Sequence, residues 1–425
     1  MTLFTRRHLL AGSAGLGISV DLLASRALAV APGTDRKFVM IVCRGGLDGL
    51  SLSPPVGDAD YAALRGPIAI PPFDAPDGAL KLDDTFGLHP SLAAVHALAL
   101  KGQARIAPAI ATPDRERSHF EAQDVLESGA GHVYDLTSGW LNRALAAMGP
   151  PGNVKALSVG PTAPLILRGS IEAASWSPGG AAQNDRRLPG ILQDLYANDP
   201  LLAPALATGL ATEAMAKTAR ADAARTDAAA DSPGAEMGEP SAGGAKGAGG
   251  AHQGVAQART MGATLAGFMT QQGGVSVAAV QIDNFDTHAN QGAATGQLAN
   301  RLLYVDAFLD GLASGMGPAW GQTVVAMATE FGRTARVNGT QGTDHGTAST
   351  ALVLGGAIRA GGIIGDWPTL REARLFENRD TAPTLDMRGL FKGILRDHLG
   401  IERAALDGSV FPSSAGVAPV AGLVA

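Results

Sequence analysis

Phe38-Val39-Met40-Ile41-Val42-Cys43, followed at once by Arg44-Gly45-Gly46-Leu47-Asp48-Gly49, decides the fold. Six apolar residues in a row, ended by glycines, predict a central strand buried on both faces. Similar runs recur at 105–111 (interrupted by Pro108), 275–282, 323–328 and 351–354. Between them apolar residues fall at helical spacing: Leu92, Val95 and Leu98; Phe120, Val125 and Leu126; Met261, Leu265, Phe268 and Met269; Leu298, Leu302, Val305 and Leu309; Leu390, Phe391, Ile394 and Leu395. Ser118 with Glu121 reads as a capping box, and Asp386 as the cap of the last helix. Strands alternating with helices predict an α/β fold: a mainly parallel central sheet with helices on both faces.

Chemistry-bearing residues gather around the ends of these runs. Asp48 sits among glycines after the first strand, where a carboxylate can meet a cation or merely hold a tight turn. Asp286-Thr287-His288 follows the 275–282 run. In extended backbone residues i and i+2 point the same way, so its carboxylate and imidazole can converge on one ion. Asp283 is a further candidate there. Glu330 ends a strand too apolar for the surface, and such a charge needs a metal or a partner. Arg333 offers itself as that partner, or as a fork for an anionic substrate. His345 reads as a metal ligand, and Asp344 as a ligand or as the group that orients it. Ser118-His119 opens a helix whose N-terminus favours an anion. Ser118 is a nucleophile or only a cap, and His119 a ligand, an acid or a structural residue. His89, His96, His252 and His398 read as structural or solvated.

The first 29 residues stand apart. Thr5-Arg6-Arg7-His8-Leu9-Leu10 is a twin-arginine start, and Ala27-Leu28-Ala29 a small-residue cleavage site, so residues 1–29 are expected to be an export signal rather than a membrane anchor. Removing them takes away Arg6, Arg7, Arg26 and Asp21, and leaves 30 basic against 38 acidic residues, a net charge of −8. That balance, with no Lys/Arg cluster, disfavours nucleic acid. One cysteine, Cys43, excludes an internal disulfide and reads as a buried small side chain. Residues 211–254 hold no Leu, Ile, Val, Phe, Trp or Tyr. They are expected to form a low-complexity insertion, an exposed Ala-rich helix and then a flexible stretch, within a single domain over 30–425.

Taken in order, the segments Lys37–Leu50, Arg117-Ser118-His119-Phe120, Ser138-Gly139-Trp140-Leu141, Phe285-Asp286-Thr287-His288, Thr329-Glu330-Phe331-Gly332-Arg333-Thr334 and Gly342-Thr343-Asp344-His345-Gly346 resemble the bacterial domain-of-unknown-function family 1501. That family looks like a branch of the alkaline phosphatase/sulfatase superfamily, and its members commonly carry twin-arginine signals. The resemblance implies an alkaline phosphatase-like fold. It implies metal ligands at Asp48, Asp286, His288 and His345, and Glu330 in place of the superfamily's strand-end Asp-His pair. Asp344 joins that metal set from its motif. The ion expected is divalent: zinc first, with manganese or calcium as alternatives. Phe331 stands where the superfamily usually has histidine, which weakens a second metal site. No formylglycine motif occurs.

The function expected is thus an exported metal-dependent hydrolase of phosphate or sulfate esters, periplasmic or secreted. Ser118 or a metal-bound hydroxide would attack, while Arg333 or Arg117 neutralises the transferred group and His119 assists. The partner is then a small anionic ester. The alternative is a non-catalytic envelope protein that uses the same site for structure or for a protein partner. An ester or glycan hydrolase is a third possibility.

Overall fold

Strand β1 (Lys37–Cys43) is the apolar run read first, and it lies near the middle of an eight-stranded sheet. The computed structural model describes residues 35–149, 156–159, 164–176, 248–425 and scattered positions from 193 to 219. The expected signal at 1–29 and positions 220–247 of the expected insertion lie outside the described residues. A short hairpin, β2 (Leu80–Lys81) with β3 (Gly87–Leu88), stands apart from the main sheet. The main sheet continues through β4 (Ala104–Ala111), β5 (Ala156–Val159), β6 (Ala173–Trp176), β7 (Val277–Ile282), β8 (Thr323–Thr329), β9 (Ser349–Leu354) and β10 (Leu385–Asp386). Its order is β10-β4-β9-β8-β1-β7-β5-β6.

The pairing places the site. β1 runs parallel to β7 and β8, with Cys43 level with both Ile282 and Thr329. β9 alone is antiparallel, to β4 on one side and β8 on the other. Its first residues therefore lie at the edge where β1, β4, β7 and β8 end. That is why the Asp344-His345 motif precedes its strand while the other motifs follow theirs.

Both faces of the sheet are covered, as expected. Val39, Ile41 and Cys43 point into one apolar cluster, and Phe38, Met40 and Val42 into the other, by the two-residue repeat of a strand. The first cluster takes in α3 (Ala93–Leu100), α6 (Ala248–Thr270) and α7 (Gln297–Met316), which supply Val95, Leu265 and Leu302. The second takes in α4 (His119–Ser128), α5 (Trp140–Ala147) and α8 (Met387–Leu399), through Leu126, Trp140 and Leu390. Trp140 stacks on Phe391 with ring centroids 4.8 Å apart, and its Nε1–H donates to the Leu126 carbonyl. The Ser138–Leu141 motif thus serves packing. Shorter helices α1 (Gly49–Leu52) and α2 (Tyr61–Arg65) follow β1.

Two local expectations are corrected. Ser118 does precede α4 with extended backbone, but its hydroxyl makes no capping bond, whereas Asp386 does cap α8 by accepting from the Arg388 N–H. The stretch 211–254 is also not wholly outside the core. Its last residues, from Ala248, are already helix α6. Within its first part Ala216 and Ala219 are buried, and Ala216 belongs to the first cluster. A Cβ placed on Gly267 of α6 would lie 2.6 Å from that of Ala219. Small residues on both sides let the backbones approach, so burial here needs no large side chain. No helix among the described residues is long and apolar enough to cross a membrane.

Candidate metal centre

Five segments meet at the carboxyl edge: those after β1, β4, β7 and β8, and the one before β9. They are held by main-chain contact. Gly45 has φ +111, and a Cβ there would fall 2.7 Å from the Asp286 backbone N, so glycine is required on both counts. Arg333 is the second device. Its guanidinium donates to the carbonyls of Gly46 (2.6 Å), Thr343 (3.1 Å), Phe285 (3.2 Å) and Gly45, and to the Asp286 carboxylate. One buried side chain thereby ties three of the segments together.

Within that frame His119, Asp286 and His345 bring one potential ligand atom each to within 4.8 Å of one another. His288 adjoins them. Its Nε2 lies 3.0 Å from the Asp286 Oδ1 and 3.0 Å from the His345 Nε2. His345 Nε2 is 3.3 Å from Asp286 Oδ1, and His119 Nε2 is 3.5 Å from Asp286 Oδ2. Donors placed tetrahedrally at zinc–ligand distances of 2.0–2.1 Å stand about 3.3 Å apart, so these spacings suit one small ion.

The other ring nitrogens are occupied. His345 Nδ1 donates to the Arg117 carbonyl at 2.9 Å, and His119 Nδ1 to the Glu330 Oε1 at 2.8 Å. Each bond fixes a tautomer with its lone pair on Nε2, aimed at the cluster. His288 Nδ1 lies 3.4 Å from the Asp344 Oδ1. Arg117 presents its carbonyl from a left-handed backbone, φ +59, which its side chain secures by pairing with Asp380 and Glu377. His119 Nε2 is buried and has no hydrogen-bond partner, which is costly unless something binds there.

The charges agree with this arrangement. His119 is the exception, since the bond to Glu330 raises its pKa despite partial burial and a metal there would have to displace a proton. Burial pushes the Glu330 carboxyl up, but bonds from His119, its own backbone N–H, Gly45 and Gln123 outweigh that and hold it below the usual range. Burial likewise works against Asp286, where Arg333 prevails and keeps the carboxyl low. His345 is lowered, chiefly by burial, which favours the neutral ring that a metal needs.

Several expected roles change. Glu330 is not placed as a ligand: Oε1 accepts from Gly45 N, His119 Nδ1 and Gln123 Nε2, and Oε2 from the Thr329 hydroxyl, so it holds His119. Asp48 is buried and is not among the converging side chains. It accepts from Leu50 N, Ser51 Oγ, Gln291 Nε2 and the buried Arg65. Gln291 in turn accepts from Thr287 and Thr343, so Asp48 is tied to the two segments that carry the cluster. Arg333 cannot reach a substrate, its donors being spent on the frame, and Arg117 is taken up by two carboxylates. Asp344 faces His288 rather than His345, and the exposed Asp283 stands outside the cluster. Phe331 packs against both His119 and His345, 4.8 Å from each ring, while those two rings meet edge to face at 4.4 Å. The sequence reading missed Arg65, Gln123 and Gln291 entirely. Their only signal was the need of buried Asp48 and Glu330 for partners.

Fold and site together define an α/β protein whose sheet edge carries a histidine-rich cluster able to hold a metal ion. The chain matches the family described as "Protein of unknown function (DUF1501)" over residues 35–410, and it belongs to that family. No curated protein matches it. Among solved structures it is similar to the C-terminal periplasmic domain of EcEptC from Escherichia coli in complex with Zn, at 7% identity and TM-score 0.34, over 76% of this chain and 74% of that one. It is also similar to the phosphonate monoester hydrolase of Agrobacterium radiobacter, at 11% identity and TM-score 0.37, over 86% of this chain and 74% of that one.

Proposed function

We propose that this chain is an exported, metal-dependent hydrolase of phosphate or sulfate esters. The observation that carries the reading is the buried, unpartnered Nε2 of His119, converging with Asp286, His345 and His288 while their other ring nitrogens are held by protein groups. Three imidazoles and one carboxylate suit zinc, and then manganese. They suit calcium poorly, since that ion prefers oxygen. The Asp286 and His288 side chains are 43% and 45% exposed, so a small ester can reach the centre.

When bound, the ion supplies a Lewis acid for a non-bridging oxygen of the ester. The chain's residues do the rest. Glu330 and the Arg117 carbonyl hold the two inner imidazoles in the ligating tautomer. The Ser118 hydroxyl, without a capping bond, stands at the start of α4, where free backbone N–H groups favour an anion. Either that oxygen or a water would attack phosphorus or sulfur as the bond to the leaving oxygen breaks, and the proton lost by the attacking group would end on the leaving oxygen, which departs as an alcohol. After attack by Ser118, water hydrolyses the resulting serine ester. Export to the periplasm or beyond is supported by Arg6-Arg7 and Ala27-Leu28-Ala29.

The test is elemental analysis of the folded protein beside Asp286→Ala and His288→Ala, with turnover of aryl phosphate and sulfate esters. The reading expects about one equivalent of metal in the wild type, lost in both variants, together with turnover. A folded, metal-free wild type sinks it. Stoichiometric metal without turnover of any ester selects a non-catalytic envelope protein that uses the site for structure or partner binding.

A further inference from the structure

A cleft of about 420 Å³ opens beside the first two turns of α7, a size within the range of small-molecule sites. Gln297, Asn300, Arg301 and Tyr304 line it at spacing i, i+3, i+4 and i+7, so they share one helix face, beside the buried face of Leu298, Leu302 and Val305. Asn284 lines it too, from the segment that carries Asp286 two residues on. Asn284 has φ +74, a left-handed conformation that asparagine tolerates better than most residues.

Arg301 is half-buried in this wall and forms no ion pair among the described residues. We propose that the cleft binds an anionic sugar unit. Arg301 supplies a planar fork for a carboxylate, phosphate or sulfate. Three amides, Asn284, Gln297 and Asn300, each offer a donor and an acceptor, the pairing that neighbouring sugar hydroxyls require. Leu303, 40% exposed, and the Tyr304 ring give an apolar surface for the C–H face of a pyranose. As a holder of the substrate's remote part the cleft rests on the hydrolase reading. Binding itself does not depend on the metal.

Titration of the full-length chain by calorimetry, with glucuronate, glucose and sodium sulfate as separate probes, tests this. Glucuronate is expected to bind saturably, with glucose and sulfate each at least about tenfold weaker, the scale of losing one charge-assisted pair. Arg301→Gln should bring glucuronate down to the level of glucose. Asn300→Ala should weaken both sugars while keeping the preference between them. No saturable glucuronate binding, an unchanged preference in Arg301→Gln, or sulfate as tight as glucuronate would each overturn the proposal. Metal content of Arg301→Gln should equal that of the wild type, which separates failure of the cleft from failure of the metal reading.

Discussion

Replacing Glu330 by glutamine tests whether this carboxylate holds a metal-binding histidine. The variant keeps the shape of a fully buried side chain. Its amide oxygen can still accept from Gly45, His119 and Gln123, and its NH₂ can donate to the Thr329 hydroxyl, which accepts as readily as it donates. What disappears is the charge facing His119 Nδ1. A hydrogen bond to a charged group contributes about 1.5–3 kcal/mol against about 1 kcal/mol for a neutral one. The difference is about 0.5–2 kcal/mol, or about two- to thirtyfold in the zinc dissociation constant, overlapping the 10–100-fold effect of groups that support metal ligands. Competition with a chelator of known affinity, at fixed pH, measures it. The circular dichroism of the metal-free protein serves as the folding control. A folded Glu330→Gln variant with zinc affinity within about twofold of wild type would show that His119 is not a ligand, or that Glu330 does not govern it.

Other perturbations separate the centre from its frame. Asp48→Asn breaks the buried pair with Arg65 and should cost about 3–5 kcal/mol in urea unfolding, while the folded fraction keeps its full metal complement; metal loss at unchanged stability would restore Asp48 as a ligand. Arg333→Lys replaces a five-donor fork by a point charge that cannot serve Gly46, Thr343, Phe285 and Asp286 together, and should destabilise by about 2–4 kcal/mol. A thermal midpoint equal to wild type would refute the clamp. His398 is far from the centre in role: burial holds its imidazole down to about 4, and its Nε2 bonds the Lys37 carbonyl. The unfolded chain takes up this proton first, near pH 6.5. Stability is therefore full above that pH and is lost as pH falls towards 4, by up to about 3 kcal/mol. His398→Gln should flatten that acid limb of the stability curve, and an unchanged limb would assign it to other groups.

The sheet was legible because its strands are uninterrupted apolar runs, and β1, β7 and β8 fall within about two residues of the expected bounds. That Asp286, His288 and His345 would gather at one edge was legible from their positions at strand ends; the extended backbone expected for Asp286-Thr287-His288 does not form, because Thr287 N–H bonds the Phe285 carbonyl and His288 N–H the Asp286 carbonyl, two residues back in each case. Which carboxylate joins the histidine cluster was not legible. Asp48, Asp286 and Glu330 look alike in sequence, each beside glycine or a strand end. Their roles are separated by long-range partners: Arg65 and Gln291 for Asp48, Arg333 for Asp286, and His119 for Glu330. Such contacts depend on tertiary packing, and no local pattern encodes them. The same holds for Ala216 and Ala219. Their burial depends on Gly267, which lies about fifty residues further on.

On the proposed reading the edge holds a single ion, and its carboxylates give the reason. Among the described residues one group of three metal-capable side chains converges, and the carboxylates that might furnish a second are already committed. Asp48 is neutralised by Arg65 one layer behind, and Glu330 is saturated by four donors. Phe331 lies against the rings of His119 and His345, which also touch each other, and Gly46 must be glycine because a Cβ there would strike the Phe331 ring. The apolar ring therefore braces both inner imidazoles and offers no donor on the side it covers. It also makes Phe331 informative. Phe331→His adds a nitrogen donor beside His119 and His345, yet Glu330 remains occupied, so metal content should stay at about one equivalent. Two equivalents in that variant would mean that the edge needs only one more donor to hold a second ion, and that packing rather than the committed carboxylates sets the number.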